Sequence, residues 1–118
     1  MITVWGLKSC DTCKKARTWL EGKGATFAVK DVRADGLTAE QIAGWLAAVG
    51  GATLINRRGT TWRGLPAEMQ AAAESEESAV ALLQANPALI KRPVFVFADG
   101  SVIVGFAKAQ QAELEARL

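Results

Sequence analysis

The 118-residue sequence contains no histidine and only two cysteines. Without an imidazole, neither a serine–histidine nor a cysteine–histidine pair can form, so any nucleophile must be activated by backbone dipoles, lysine or arginine. A structural zinc site ordinarily takes four cysteine or histidine ligands, more than one copy of this chain holds. Charge of one sign is lacking too. The 14 basic and 12 acidic side chains leave a net charge of +2, which gives no electrostatic case for direct nucleic-acid or anionic-membrane binding. No apolar run approaches bilayer-spanning length, and no proline-, glycine- or serine-rich linker divides the chain. A single domain over residues 1–118 is expected. The apolar run Met1-Ile2-Thr3-Val4-Trp5 is cut short by Gly6 and Lys8. It does not resemble a secretory signal, so a reducing cytoplasm is the expected setting.

What the chain does have is Ser9-Cys10-Asp11-Thr12-Cys13-Lys14-Lys15, placed where an apolar strand gives way to a helix. The first turn of a helix carries unpaired N–H groups and partial positive charge, which favour thiolate over thiol. Cys10 is therefore the expected nucleophile. Lys8, Lys14, Lys15 and Arg17 push the same way, and Asp11 opposes them. Residues three apart share a helix face, so Cys13 is placed to close a disulfide with Cys10 or to resolve a mixed disulfide on it. C-x-x-C beside a strand-helix-strand pattern reads as a thioredoxin-like redox motif. Two inert buried thiols, or half of a metal site shared across a dimer, are the competing readings.

Ile2 to Trp5 reads as a buried strand, and Cys13, Ala16, Trp19 and Leu20 recur at helical spacing from Thr12 to about Glu21, before Gly22 and Gly24. Phe27-Ala28-Val29 returns as a second, parallel strand, giving a βαβ unit. Thr38 and Gln41 form a capping box for a helix through Ile42, Trp45, Leu46 and Val49, stopped by Gly50-Gly51. Ala67 to Ala85 reads as helical with a break near Ser75, ended by Asn86-Pro87. Val94–Phe97 and Val102–Val104 flank Asp99-Gly100, a hairpin signal. A last helix, Lys108 to Leu118, should pack Ala112, Leu114 and Leu118 on the sheet. The expected fold is an α/β, four-stranded mixed sheet with an all-helical insertion over about 38–90.

Pro93 follows Arg92 just before a strand, where a cis bond can expose backbone groups to a substrate and a trans bond would simply open an edge strand. Arg92 is a solvated side chain or an anion binder near the thiols. The run Asn56-Arg57-Arg58-Gly59-Thr60-Thr61-Trp62-Arg63 gathers three arginines, whose guanidinium groups match carboxylates and oxyanions bidentately. A peptide thiol with free carboxylates would suit it. The alternative is a basic surface loop anchored by Trp62. Trp5, Trp19 and Trp45 read as core residues.

Trp5-Gly6-Leu7-Lys8-Ser9-Cys10-Asp11-Thr12, Lys14-Lys15-Ala16-Arg17 with Trp19-Leu20, Asp35-Gly36-Leu37, Leu54-Ile55-Asn56, Arg58-Gly59-Thr60-Thr61-Trp62-Arg63, Ile90-Lys91-Arg92-Pro93 and Gly105-Phe106 occur in that order. In these blocks nearly the whole chain resembles the arsenate-reductase-like (ArsC) family, nearest its YffB and Spx branches. The resemblance implies a thioredoxin/glutaredoxin-like core, a cis bond before Pro93, Cys10 as nucleophile and Arg92 beside it. Gly105 stands where the family's last-strand arginine is expected. The middle arginine position falls near Asn56, with Arg57 and Arg58 adjacent. The activity expected is thiol-disulfide oxidoreduction with glutathione as cosubstrate, Cys10 attacking and Cys13 resolving. Arg92 with Arg57, Arg58 and Arg63 would orient the anionic thiol, and Lys8, Thr12 and Pro93 complete the expected substrate-binding set. No metal or nucleotide is expected. The Spx branch implies a second reading, a redox-sensing regulator that binds RNA polymerase, and arsenate reduction is a third.

Overall fold

The computed structural model describes residues 1–118. In chain order it contains β1 (Ile2–Gly6), α1 (Asp11–Gly22), β2 (Phe27–Asp31), α2 (Ala39–Val49), α3 (Gly51–Leu54), α4 (Thr60–Arg63), α5 (Ala67–Ala71), α6 (Glu76–Ala85), β3 (Val94–Val96), β4 (Val102–Val104) and α7 (Lys108–Arg117). Single 3₁₀ turns lie at Ala72–Glu74 and Pro87–Leu89. Met1–Asp35 and Arg92–Leu118 together make one compact unit, and Gly36–Lys91 makes a second.

The first unit is a four-stranded sheet in the order β2-β1-β3-β4. β1 pairs parallel with β2 and antiparallel with β3, and β3 pairs antiparallel with β4. A helix between two parallel neighbours is what β1-α1-β2 requires, because the chain must return to the same edge before it can pair again. Val4 stands opposite Phe95 and Phe95 opposite Ile103. Side chains alternate along a strand, so these three share a face with Ile2. That face packs against Ala16 and Leu20 of α1 and Leu114 of α7, with Trp19, Phe27, Phe97 and Phe106 at its margin. α1 buries Cys13, Ala16 and Leu20, the one-sided spacing that lets a helix lie on a sheet. Beyond α1 the chain turns at Gly24, where φ is +69°.

The hairpin signal is met, with Gly100 at φ +86° and the Asp99 carboxylate accepting from the Ser101 N–H at 2.9 Å. Phe97, expected in the strand, lies just outside it because its N–H donates to the Ser101 carbonyl and its carbonyl accepts from the Gly100 N–H, which closes the turn there. Of the three apolar residues expected to seat α7, only Leu114 is buried; Ala112 and Leu118 are exposed. On β2 at the sheet's edge, the Lys30 ammonium lies 5.5 Å from the Trp5 ring centroid. Val29 beside it is 52% exposed.

The second unit is helical. Thr38 caps α2, its hydroxyl accepting from the Gln41 N–H at 3.2 Å while the Gln41 side chain accepts from the Thr38 N–H at 3.0 Å. α2 packs on α6, and Ile42, Trp45, Leu46, Ala79, Leu82 and Leu83 are buried. Ser75 breaks the Ala67–Ala85 segment and caps α6. Two short helices depart from the sequence expectation. α3 begins at the glycine pair read as a stop, and α4 turns part of the expected arginine loop into a helical turn. An antiparallel bridge between Ile55 and Ile90, flanked by the Asn56 N–H to Leu89 carbonyl and Lys91 N–H to Leu54 carbonyl bonds at 2.7 Å, ties the end of α3 to the C-terminal end of this unit.

Candidate active site at the Cys10–Cys13 pair

β1 ends at Gly6, and a tight turn follows in which the Cys10 N–H donates to the Leu7 carbonyl at 3.1 Å. Cys10 then occupies the N-cap of α1 with extended backbone (φ −85°, ψ 116°), and its carbonyl accepts from the Lys14 N–H at 3.1 Å. Cys13 is the third residue of the helix, the position whose N–H a cap side chain faces. The Cys10 sulfur makes no cap hydrogen bond of standard geometry. The Cys13 amide still acts on it and favours thiolate. Both cysteines are free thiols, Cys10 half-buried and Cys13 fully buried.

Burial by itself pushes the Cys10 thiol up. Against it work the Cys13 S–H, donating to the Cys10 sulfur, then the Cys13 backbone N–H, then hydrogen bonding and charge from the Arg92 guanidinium, and the net result lies below the ordinary thiol value. Cys13 moves the other way, to about 11, because it is buried and because its proton is held by Cys10; the Leu7 N–H and Arg92 offset this only in part. The two sulfurs thus divide the work, Cys10 the more readily ionised and the reachable one, Cys13 held protonated and enclosed. In reduced protein, alkylation by iodoacetamide should rise with pH through a midpoint below ~8.5 and then level off, because loss of the Cys10 proton alone creates the reacting thiolate. A midpoint at or above ~8.5 would mean that burial wins.

Of the residues singled out in the sequence, the structure brings Cys10, Cys13 and Arg92 together. Pro93 is buried, and the Arg92–Pro93 bond is cis. Thr12 is exposed on the first turn of α1. Arg92 is the cation that acts on Cys10. Lys8 and Arg17 instead line a cleft of about 130 Å³ with Lys30, Asp31 and Asp35, and Lys8 helps to hold the Asp31 carboxyl low, after the Ala34 and Arg33 N–H groups that bond it. Lys14 and Lys15 lie exposed on α1.

In the second unit, Asn56, Arg57, Arg58 and Lys91 line a cleft of about 340 Å³ with Ala52 and Ile55. The Arg57 guanidinium lies 5.3 Å from the Trp62 ring centroid, so the half-buried indole steadies that arginine. Arg63 is exposed and donates to the Arg58 carbonyl at 2.8 Å. No cluster of three or more potential metal-ligating side chains occurs, and no helix is long and apolar enough to cross a membrane.

Sequence reading missed one residue of this site, Gly6. A glycine closing an otherwise β-branched and aromatic strand is a signal of close approach, and here the approaching group is the Cys13 sulfur.

A mixed sheet whose first strand delivers a thiol to the N-cap of a helix, with a second thiol one turn on, has the fold of a thioredoxin-like thiol oxidoreductase. The ArsC family model matches residues 5–114, and the chain belongs to the ArsC family. It is 39% identical over 106 residues to an uncharacterized protein of Haemophilus influenzae, covering 90% of this chain and 91% of that one. It is 26% identical over 98 residues to the global transcriptional regulator Spx of Listeria monocytogenes, covering 81% of this chain and 73% of the regulator. Among solved structures, the YFFB protein superposes with a TM-score of 0.87 at 38% identity, over 98% of each chain.

Proposed function

We propose that this protein is a glutathione-dependent thiol-disulfide oxidoreductase of the cytoplasm. The observation that carries the reading is the Cys10 sulfur, served by the S–H and N–H of Cys13 and by the Arg92 guanidinium. The Cys10 thiolate attacks one sulfur of a substrate disulfide, forming a Cys10–substrate disulfide and releasing the other half as a thiolate that takes a proton from solvent. Cys13, after losing its own proton, attacks the Cys10 sulfur, which forms the Cys10–Cys13 disulfide and expels the second substrate thiol. Two glutathione thiols then reduce that disulfide and leave as glutathione disulfide, so two electrons pass from glutathione to substrate. Arg92 serves an anionic group of the thiol partner at Cys10, with Thr12 exposed on the first turn of α1. Arg63, whose guanidinium donates to the Arg58 carbonyl, braces the backbone of its own segment.

The test is a trap. Reduced Cys13→Ser protein incubated with glutathione disulfide should accumulate one glutathione per chain, mapped by mass spectrometry to Cys10, whereas wild type should pass on to the internal disulfide and release two glutathione thiols. Failure of any adduct to form on Cys10 in either protein would remove the enzyme reading. The Spx likeness and the cysteine pair favour one other reading, a redox-sensing regulator that binds RNA polymerase. It predicts an internal disulfide without turnover, and polymerase capture that differs between the oxidised and reduced forms.

A further inference from the structure

Gly6 lies at the end of β1, on the face that Ile2 and Val4 turn toward α1. A Cβ placed on it would stand 2.6 Å from the Cys13 Sγ and 3.1 Å from the Cys13 Cβ. The first distance is far inside carbon–sulfur contact. Neither side has slack. The Gly6 carbonyl accepts from the Val32 N–H at 3.0 Å, and Gly6 stands in register with Asp31, which pins the strand end. Cys13 is fully enclosed within α1, and its short side chain has only χ1 to change. The φ of Gly6 is not in the left-handed region, so what this position requires is space and not backbone freedom.

We propose, resting on the thiol reading above, that Gly6 is a positioning residue for the cysteine pair: its missing side chain is the seat that receives the Cys13 sulfur and keeps its S–H aimed at Cys10. A methyl group at position 6 drives that sulfur to another rotamer. Cys10 then keeps the Cys13 N–H and the Arg92 guanidinium but loses the S–H donor, and the two sulfurs no longer face each other for disulfide closure. The preference for thiolate at Cys10 is thus set partly from the strand, through a residue that carries no functional group.

The experiment compares Gly6→Ala, Cys13→Ala and the double variant in reduced protein, reading the pH midpoint of Cys10 alkylation and the urea midpoint of unfolding. Gly6→Ala should raise the alkylation midpoint by about one pH unit, the effect of losing one hydrogen bond to a charged sulfur. Added to Cys13→Ala, it should leave the alkylation midpoint where Cys13→Ala alone put it, since the remaining 3.1 Å approach to the Cβ asks only for a small shift. The same rise in both backgrounds, or in neither, overturns the proposal. Should Gly6→Ala alone fail to fold, a folded double variant supports the seat and an unfolded one overturns it. Turnover enters neither readout, so a chain without reductase activity still gives a decisive answer.

Discussion

Cys10→Ser should reduce thiol-disulfide turnover by roughly a thousandfold or more, because a serine hydroxyl stays un-ionised near neutral pH and is no nucleophile toward disulfide sulfur. The substitution is well suited to isolate chemistry from folding. Serine is among the preferred N-cap residues, Cys10 is only half-buried, and its backbone is already in the extended conformation that a cap adopts. The variant should therefore unfold at the same urea concentration as wild type or slightly higher. Coupled assays with glutathione and a small disulfide, run beside urea titrations, check both halves. Retained turnover in a fully folded variant would move the nucleophile away from Cys10.

Phe95→Ala should cost about 3–5 kcal/mol of stability, read as the urea midpoint shift multiplied by the slope of the transition. Phe95 sits on β3 between Val4 of β1 and Ile103 of β4. Its side chain is 0% exposed, and its ring centroid lies 6.2 Å from that of Phe106. Strands on both sides hold the backbone in place, so the surrounding side chains can close only part of the void. Since small domains carry about 5–15 kcal/mol in all, a large share of the margin goes with one ring. A loss below ~1 kcal/mol would mean that the site collapses freely, contrary to a sheet centre held on two edges.

The strands, α1 and α2 were legible because each carries its own signal: a β-branched run, a one-sided apolar stripe, or a capping box at Thr38 and Gln41. α3 and α4 gave no such signal. Each is four residues long, less than two turns, α4 buries nothing, and α3 opens on a glycine pair that ordinarily ends a helix. α7 misled in a different way. Ala112 and Leu118 are apolar enough to suggest a stripe, yet only Leu114 touches the core, and the helix is steadied at its rim by Lys23–Glu115 and Arg117–Asp99 ion pairs. Such exposed pairs contribute only ~0–1 kcal/mol each. At the site, the cysteine spacing announced the thiol pair. Arg92 lies beyond the second unit in sequence, so its place before Pro93 left it open between a solvated side chain and an anion binder near the thiols, and the family resemblance set it beside Cys10. The clustered lysines and Arg17 were overweighted, since nearness in sequence to a helix start does not decide which way a long side chain leaves it.

The sheet leaves two borders unpaired, β2 and the three-residue β4. An open border with an outward valine invites a second copy to dock strand against strand, and chains held together that way with reactive thiols would end in covalent clumps. Lys30, lodged over the Trp5 indole next to Val29, puts a charge on that margin and discourages such stacking. The unpaired margin at β2 is thus guarded against strand addition in part by one edge-strand lysine.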